Sequence, residues 1–323
     1  MKTKILSYLL KKDLDFWEMA RLLGYFADFA KTLKKIEKEG LIKIRNSKLS
    51  LTKKGRELSS SLNIFPQDPP SFKISFKLDK PLLKKFKKVR KKLLPKLQFD
   101  QLQIIPEGII KKIEVMRAFG DLKGKKIICL GDDDMTATAL ALTNLPQEIT
   151  VLDIDERIIN YENKILQKLG YKKTAFFCDL LKPLPSKFVG NYDVFLTEPP
   201  DTLEGNTLFF SRGIECIKKE GGIGYIGVSQ NDFKRVKYLQ LQKNILKMGA
   251  LITAIFPKFE LYETYGDEFE WIFGLPEEIG LPKKPWFSAD LIRTEISKKS
   301  KPLISGKAPE SFKKKFLKTD IYC

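Results

Sequence analysis

Gly131-Asp132-Asp133-Asp134 places three carboxylates directly after four apolar residues, Ile127-Ile128-Cys129-Leu130. One acid at a helix N-terminus needs no function, because the helix dipole stabilises it by about 0.3–1 kcal/mol. Three in a row resist joint ionisation, so something cationic must balance them. Glu198-Pro199-Pro200-Asp201 adds two acids on a rigid turn. A divalent metal among such carboxylates usually comes with a phosphate substrate; a polyamine fits better, and no resident metal is expected. A third acidic stretch holds Glu260, Glu263, Asp267, Glu268 and Glu270, interleaved with Tyr262, Tyr265 and Trp271. Aromatic faces among acids suit an alkylammonium chain, although a solvated loop explains any single one of them equally well.

Two further acids suggest what else the site binds. Asp153 closes an apolar run some twenty residues beyond the glycine turn, the place of an acid that takes ribose hydroxyls. Asp155 is the better cap for the helix that follows. Asp179 ends the next apolar run, where adenosyl-binding folds hold the adenine amino group. Together they point to an adenosyl ligand. Charge then separates two reactions. A methyl donor brings a carboxylate to the glycine turn, which three aspartates repel, as they repel nucleic-acid phosphates. Decarboxylated S-adenosylmethionine has lost that carboxylate and is a net cation.

These acids must be positioned by strands. Apolar runs Ile127–Leu130, Ile149–Leu152, Thr174–Cys178, Tyr192–Leu196, Gly222–Val228 and Leu251–Phe256 alternate with helical runs Met135–Leu142, Ile158–Leu169, Leu208–Ile217 and Leu239–Met248. That alternation predicts an α/β domain with a parallel sheet. Asp134, Asp153, Asp179 and Glu198 should share its carboxyl edge. Upstream, Ile5–Leu10, Asp15–Leu23 and Phe26–Lys38 read as helices, with Asp13 or Asp15 as a cap. Leu41–Arg45 and Lys48–Thr52 read as a hairpin around Asn46-Ser47. The expected organisation is a winged helix-turn-helix over 1–62, a connector over 63–108 and a Rossmann-like catalytic domain over 109–323. The connector carries Pro66, Pro69 and Pro70, an expected strand at Phe72–Leu78 and a lysine-rich helix at Lys80–Lys96; a helix at Ile109–Phe119 follows.

The chain has 323 residues and a formal net charge of +19. Such charge fits either a nucleic-acid partner or the lysine-rich surface of a heat-adapted protein. Lys31, Lys34, Lys35 and Lys38 lie on the presumed recognition helix, which has no Arg, Asn or Gln to read bases, so specific DNA binding is not expected. The absence of histidine excludes Ser-His-Asp and Cys-His catalysis and leaves acid–base work to carboxylates, Lys, Tyr or Cys. Four scattered cysteines form no CxxC pair and read as reduced thiols. No apolar run reaches the ~20 residues that span a bilayer, and no signal peptide is visible, so a cytoplasmic location is expected.

Gly131-Asp-Asp-Asp134, Val151-Leu-Asp-Ile-Asp155, Asp179-Leu-Leu-Lys-Pro-Leu-Pro185, Tyr192-Asp-Val-Phe-Leu-Thr-Glu-Pro-Pro-Asp-Thr202 and Ser211-Arg-Gly213 together resemble the branched-chain polyamine synthases, or N(4)-bis(aminopropyl)spermidine synthases. The resemblance extends to the winged-helix start and to Phe99-Asp-Gln101. Members usually have Asp-Pro-Pro-Glu where this chain has Glu198-Pro-Pro-Asp201. The resemblance implies an aminopropyltransferase of the Rossmann-like methyltransferase type. Its donor would be decarboxylated S-adenosylmethionine, its acceptor the secondary amine of spermidine, and a homodimer from a thermophile is implied. The alternatives are a nucleic-acid methyltransferase and a winged-helix regulator that senses a nucleoside. Asp134 is the expected proton acceptor, facing the reacting carbon. Asp132 is expected nearest the nucleoside and Asp133 pointing away. Asp132, Asp133, Glu198, Asp201, Glu260 and Glu263 are assigned to the acceptor, and Gly131, Asp153, Asp179 and Gln101 to the donor.

Overall fold

The computed structural model describes residues 1–68, 77–90, 93–172, 174–218, 221–229, 235–264, 279–280, 282–310 and 312. The expected strand at Phe72–Leu78 falls mostly outside them, as do Tyr265, Asp267, Glu268, Glu270, Trp271 and Cys323.

The chain opens with α1 (Lys2–Lys11), β1 (Leu14–Asp15), α2 (Phe16–Leu23), α3 (Phe26–Lys38), β2 (Ile42–Arg45), β3 (Lys48–Leu51) and α4 (Lys53–Ser61). Asp15 starts α2 by accepting the backbone N–H groups of Trp17 and Glu18, which have no partner inside the helix. Asn46 and Ser47 take φ of 48° and 62°, the left-handed twist that a two-residue hairpin requires. β1 adds a third antiparallel strand in the order β1-β3-β2. Phe26, Phe29, Leu33 and Ile36 bury one face of α3, and its four lysines stay exposed. This unit packs onto the rest of the chain. Trp17 lies 4.5 Å from Trp286, ring centre to ring centre, and its indole N–H donates to the carbonyl of Gly280 at 2.9 Å.

α5 (Lys80–Val89) ends before the expected Lys96, because Arg90 turns extended. α6 (Pro106–Ala118) starts earlier than Ile109; proline has no N–H to leave unpaired in the first turn. From there strands and helices alternate. They are β4 (Lys126–Leu130), α7 (Thr136–Ala141), β5 (Glu148–Asp153), α8 (Glu156–Lys168), β6 (Ala175–Phe177), β7 (Val194–Thr197), α9 (Leu203–Cys216), β8 (Gly222–Ser229), α10 (Arg235–Lys247), β9 (Ala250–Leu261) and β10 (Ser288–Ile296). They form one sheet in the order β6-β5-β4-β7-β8-β10-β9.

The sheet is mixed, which corrects the expectation of a parallel one. β10 runs antiparallel to both β8 and β9. Its sequence hides the strand, since Asp290 and Arg293 interrupt the apolar pattern. Both are buried because both are paired: Arg293 with Asp121 at 2.8 Å, and Asp290 with the Tyr238 hydroxyl at 2.8 Å. The architecture is a Rossmann-like, methyltransferase-type α/β fold. From β4 the chain builds outward one way through β5 and β6, then returns to place β7 on the other side of β4. That reversal opens a crevice beyond the carboxyl ends of β4 and β7. Among the described residues no helix is long and apolar enough to cross a membrane.

Candidate active site

A cavity occupies this crevice. Gly131, Asp133, Asp153, Asp179 and Glu198 line it from the sheet edge, and Phe99, Asp100 and Gln101 close over it. Leu152, Ile154, Leu180 and Phe209 give it apolar walls. The four residues expected at the donor site, Gly131, Asp153, Asp179 and Gln101, are therefore brought together. Gly131 sits at φ 73°, where a side chain would be strained. Asp153 accepts the backbone N–H of Asp132 at 2.9 Å and of Asp155 at 2.7 Å, which fixes its carboxylate at the strand end. Asp155 caps α8, as expected. Asp179 accepts the Leu181 N–H at 3.0 Å. Gln101 donates to Asp155 at 3.2 Å and accepts from the Arg157 guanidinium at 3.2 Å, so the covering segment is tied to the base of α8.

The three turn acids diverge, but not as alternation predicts. Asp132 does not line the cavity; it accepts the Thr136 and Ala137 N–H groups at 2.8 and 2.9 Å and starts α7. Asp133, expected to point away, lines the cavity, and its Oδ2 has no hydrogen-bond partner. Asp134, expected to face the reacting carbon, is buried behind it and accepts the Ile104 backbone N–H. The reason is local. The chain leaves β4 through left-handed Gly131 and re-enters α7 through left-handed Met135, at φ 60°. A tight turn of this kind does not continue the strand's alternation.

Behind Glu198 lies a second layer of charge. Lys112, on α6, has a side chain only 3% exposed, and its Nζ donates to Glu198 Oε1 at 2.6 Å. It also lies 2.6 Å from Glu260 Oε1. Glu260 is fully buried near the end of β9, and neither carboxylate oxygen makes a hydrogen bond of good geometry. The Tyr262 hydroxyl donates to the other Glu198 oxygen at 3.1 Å. Glu263 pairs with Arg90 at 3.3 Å. Glu260 and Glu263, assigned to a substrate, thus meet internal cations and do not border the cavity. Asp201 presents its backbone N–H to Asp100 Oδ2 at 2.9 Å, and its side chain also lies off the cavity wall.

Lys112 and Arg90 escaped the sequence reading, and Asp100 entered it only within Phe99-Asp-Gln101, with no role assigned. Lysines are normally solvated, but one signal was available for Lys112. It shares a helix face with Ile109, Val115 and Met116, all buried. Burial alone would lower the Lys112 pKa, but the Glu198, Glu260 and Asp134 carboxylates outweigh it and raise it.

Burial has the opposite effect on the acids. It pushes Asp134 and Asp153 up to about 6, and Asp132, Asp133 and Glu260 well above the usual carboxylate range. A carboxyl whose folded pKa is raised stabilises the fold at low pH, and that contribution is lost as pH rises through the folded value. A bound cation reverses the penalty. If these acids hold the acceptor that the resemblance implies, spermidine is expected to raise the melting temperature more at about pH 8 than at about pH 5, where fewer of them are ionised. Equal gains at both values in a thermal melt would exclude a carboxylate site for the ligand.

The sequence matches the family model of the branched-chain polyamine synthase A C-terminal domain over residues 81–314. It is 34% identical over 311 residues to the N(4)-bis(aminopropyl)spermidine synthase of Methanocaldococcus jannaschii, covering 92% of this chain and 87% of that one. With the enzyme of the same name from Thermococcus kodakarensis the identity is 33%, over 81% of this chain and 78% of that one. Among solved structures, a branched-chain polyamine synthase mutein from Thermus thermophilus, in complex with N4-aminopropylspermidine and 5′-methylthioadenosine, superposes with a TM-score of 0.82. The superposition covers 96% of this chain and 90% of that one, at 25% identity. A match over most of its length, on a fold whose sheet edge brings Gly131 and Asp133 to one cavity with Asp153, Asp179 and Glu198, places this chain in the branched-chain polyamine synthase family.

Proposed function

We propose that this chain is an aminopropyltransferase. It moves aminopropyl groups from decarboxylated S-adenosylmethionine to the secondary amine of spermidine, giving N(4)-bis(aminopropyl)spermidine and 5′-methylthioadenosine. In each transfer the amine nitrogen bonds to the carbon beside the sulfonium. The carbon–sulfur bond breaks, its electron pair returns to sulfur, and the amine's proton passes to a carboxylate. Gly131, Asp153, Asp179 and Gln101 hold the donor, with the purine against Leu152, Ile154, Leu180 and Phe209. Asp133 and Glu198 receive the amine, with Asp132, Asp134 and Asp201 around them and Glu260 and Glu263 behind, held by Lys112 and Arg90. The observation that carries this reading is the unpartnered Asp133 Oδ2 beside Glu198, in the same cavity as Asp153 and Asp179. Such a group is left unsatisfied until a donor arrives.

The test is the mass of the product formed from spermidine and decarboxylated S-adenosylmethionine, with a calorimetric titration of 5′-methylthioadenosine against the parent and Asp153→Ala. Added aminopropyl mass and weaker nucleoside binding by the variant are expected. A methyl group delivered from S-adenosylmethionine to nucleic acid would favour the methyltransferase alternative. The acids argue against it, since they repel both that donor's carboxylate and the phosphates.

The division into a winged-helix unit over 1–62, a connector over 63–108 and a catalytic domain over 109–323 belongs to the same proposal. The helix–hairpin order and the exposed lysines of α3 support the first label. The unit serves here as a packing module, because Trp17 and Phe26 are committed to Trp286. Sequence-specific DNA is expected to bind no more tightly than random DNA at physiological salt, and a selection that returns one defined operator overturns this. A cytoplasmic homodimer completes the reading on the family resemblance; light scattering at the mass of one chain would remove the dimer.

A further inference from the structure

A lysine side chain is a butylammonium, chemically the end of a polyamine. Lys112 places that group among carboxylates of a site read here as polyamine-binding. Its Nζ is 2.6 Å from both Glu198 and Glu260, and Asp134 adds to the field that holds its proton. Glu198 also lines the open cavity, so the residue that pairs with Lys112 through one oxygen and takes the Tyr262 hydroxyl on the other also borders the ligand space. Stability does not account for the arrangement. A buried ion pair is about neutral against a well-packed apolar replacement, and α6 already packs through Ile109, Ile113 and Met116. Nor is one lysine matched to one acid, since Glu198 and Glu260 both contact this ammonium and Asp134 adds to its field, itself also under the influence of Arg90.

We infer that Lys112 is an internal alkylammonium that fills one cationic place in the acid cluster and so limits how many ammonium groups the acceptor brings. It is a specificity-determining residue that acts through Glu198, not a catalytic one. The inference rests on the aminopropyl-transfer reading above. It explains why a deep acid such as Glu260 lies out of reach of the cavity, since its cation is supplied from within the chain.

Parent and Lys112→Ala are assayed with spermidine and with the linear tetraamine spermine, each with and without propylammonium chloride. A parent that transfers no aminopropyl group to either amine overturns the underlying reading and this inference with it. Given an active parent, Lys112→Ala is expected to lose roughly 30-fold or more in kcat/KM for spermidine, as when a buried charge loses its partner. Millimolar propylammonium should restore about tenfold of this, while sodium chloride and propanol should restore none and the parent should not respond. The preference for spermine over spermidine should rise by about tenfold, chiefly through KM. A variant with parental affinity for 5′-methylthioadenosine, but with no amine rescue and an unchanged acceptor ratio, overturns the inference alone. If Lys112→Ala does not fold, Lys112→Met keeps the volume and removes the charge. It should show the same shift in acceptor ratio, and a parental ratio refutes the assignment.

Discussion

Asp133→Asn is expected to lower kcat by roughly 10²–10⁴-fold, the usual contribution of a positioned base, while 5′-methylthioadenosine binds nearly as well as to the parent. An amine can attack a sulfonium carbon only as the neutral base, and polyamines arrive protonated. A carboxylate that first holds the ammonium and then takes its proton meets both needs. Asp133 has the geometry for this, since it borders the cavity and one oxygen is unpartnered. It also has the basicity. Burial, with the Asp134, Asp153 and Glu198 charges behind it, pushes its carboxyl well above the usual range. Such a group ionises readily only when a cation is beside it, and it is a stronger base when it does. The amide keeps the size and removes the base.

Asp134→Asn is the necessary companion, because the sequence favoured Asp134 as the base. Its carboxylate already accepts the Ile104 N–H and lies off the cavity wall. Its loss is expected to disturb the turn and weaken kcat less than the Asp133 change does. Single-turnover rates for both variants decide the matter. If Asp134→Asn abolishes transfer and Asp133→Asn keeps the parental rate, the inner acid is the base and the turn must rearrange when substrate binds.

Why the sequence placed this turn at the sheet edge but misread the directions of its side chains is a matter of periodicity. The strand ends were legible, because buried parallel strands are continuous apolar runs and whatever follows them lies at one edge. That placed Asp134, Asp153, Asp179 and Glu198 at one edge without any knowledge of packing; Asp153, Asp179 and Glu198 line the cavity there with Gly131, while Asp134 is buried behind it. The direction of each side chain inside the turn was not legible, because it depends on left-handed Gly131 and Met135, and nothing in the residue type of Met135 announces positive φ. β10 was hidden by Asp290 and Arg293, whose partners Tyr238 and Asp121 lie far away in the sequence. Lys112 was hidden in the same way: a charge reads as surface until its two acids, from β9 and the turn after β7, are known to converge on it.

The convergence on Glu198 gives the second large effect. Glu198 carries one methylene more than an aspartate would, and that length needs room. Gly227, in the fully buried strand β8, leaves the space. A Cβ at Gly227 would lie 1.8 Å from Glu198 Oε2 and 2.5 Å from its Cδ. The strand cannot yield, since β7 pairs with it on one side and β10 on the other. Glu198 would have to swing out, abandoning the Lys112 ammonium and the Tyr262 hydroxyl together. Gly227→Ala is therefore expected to cost about 1–3 kcal/mol of stability, the range for overpacking a core. It should also lower kcat/KM by roughly 30-fold or more, the consequence of leaving a buried charge without its partner. The double variant Gly227→Ala with Glu198→Asp separates this from a general folding defect. A carboxylate one methylene shorter withdraws from the new methyl group, so stability and part of the activity should return together. If the double variant is no better than the sum of the two single changes in denaturant melts and in kcat/KM, the two positions are not coupled. Gly227 would then be required by the strand and not by the acid that the strand makes room for.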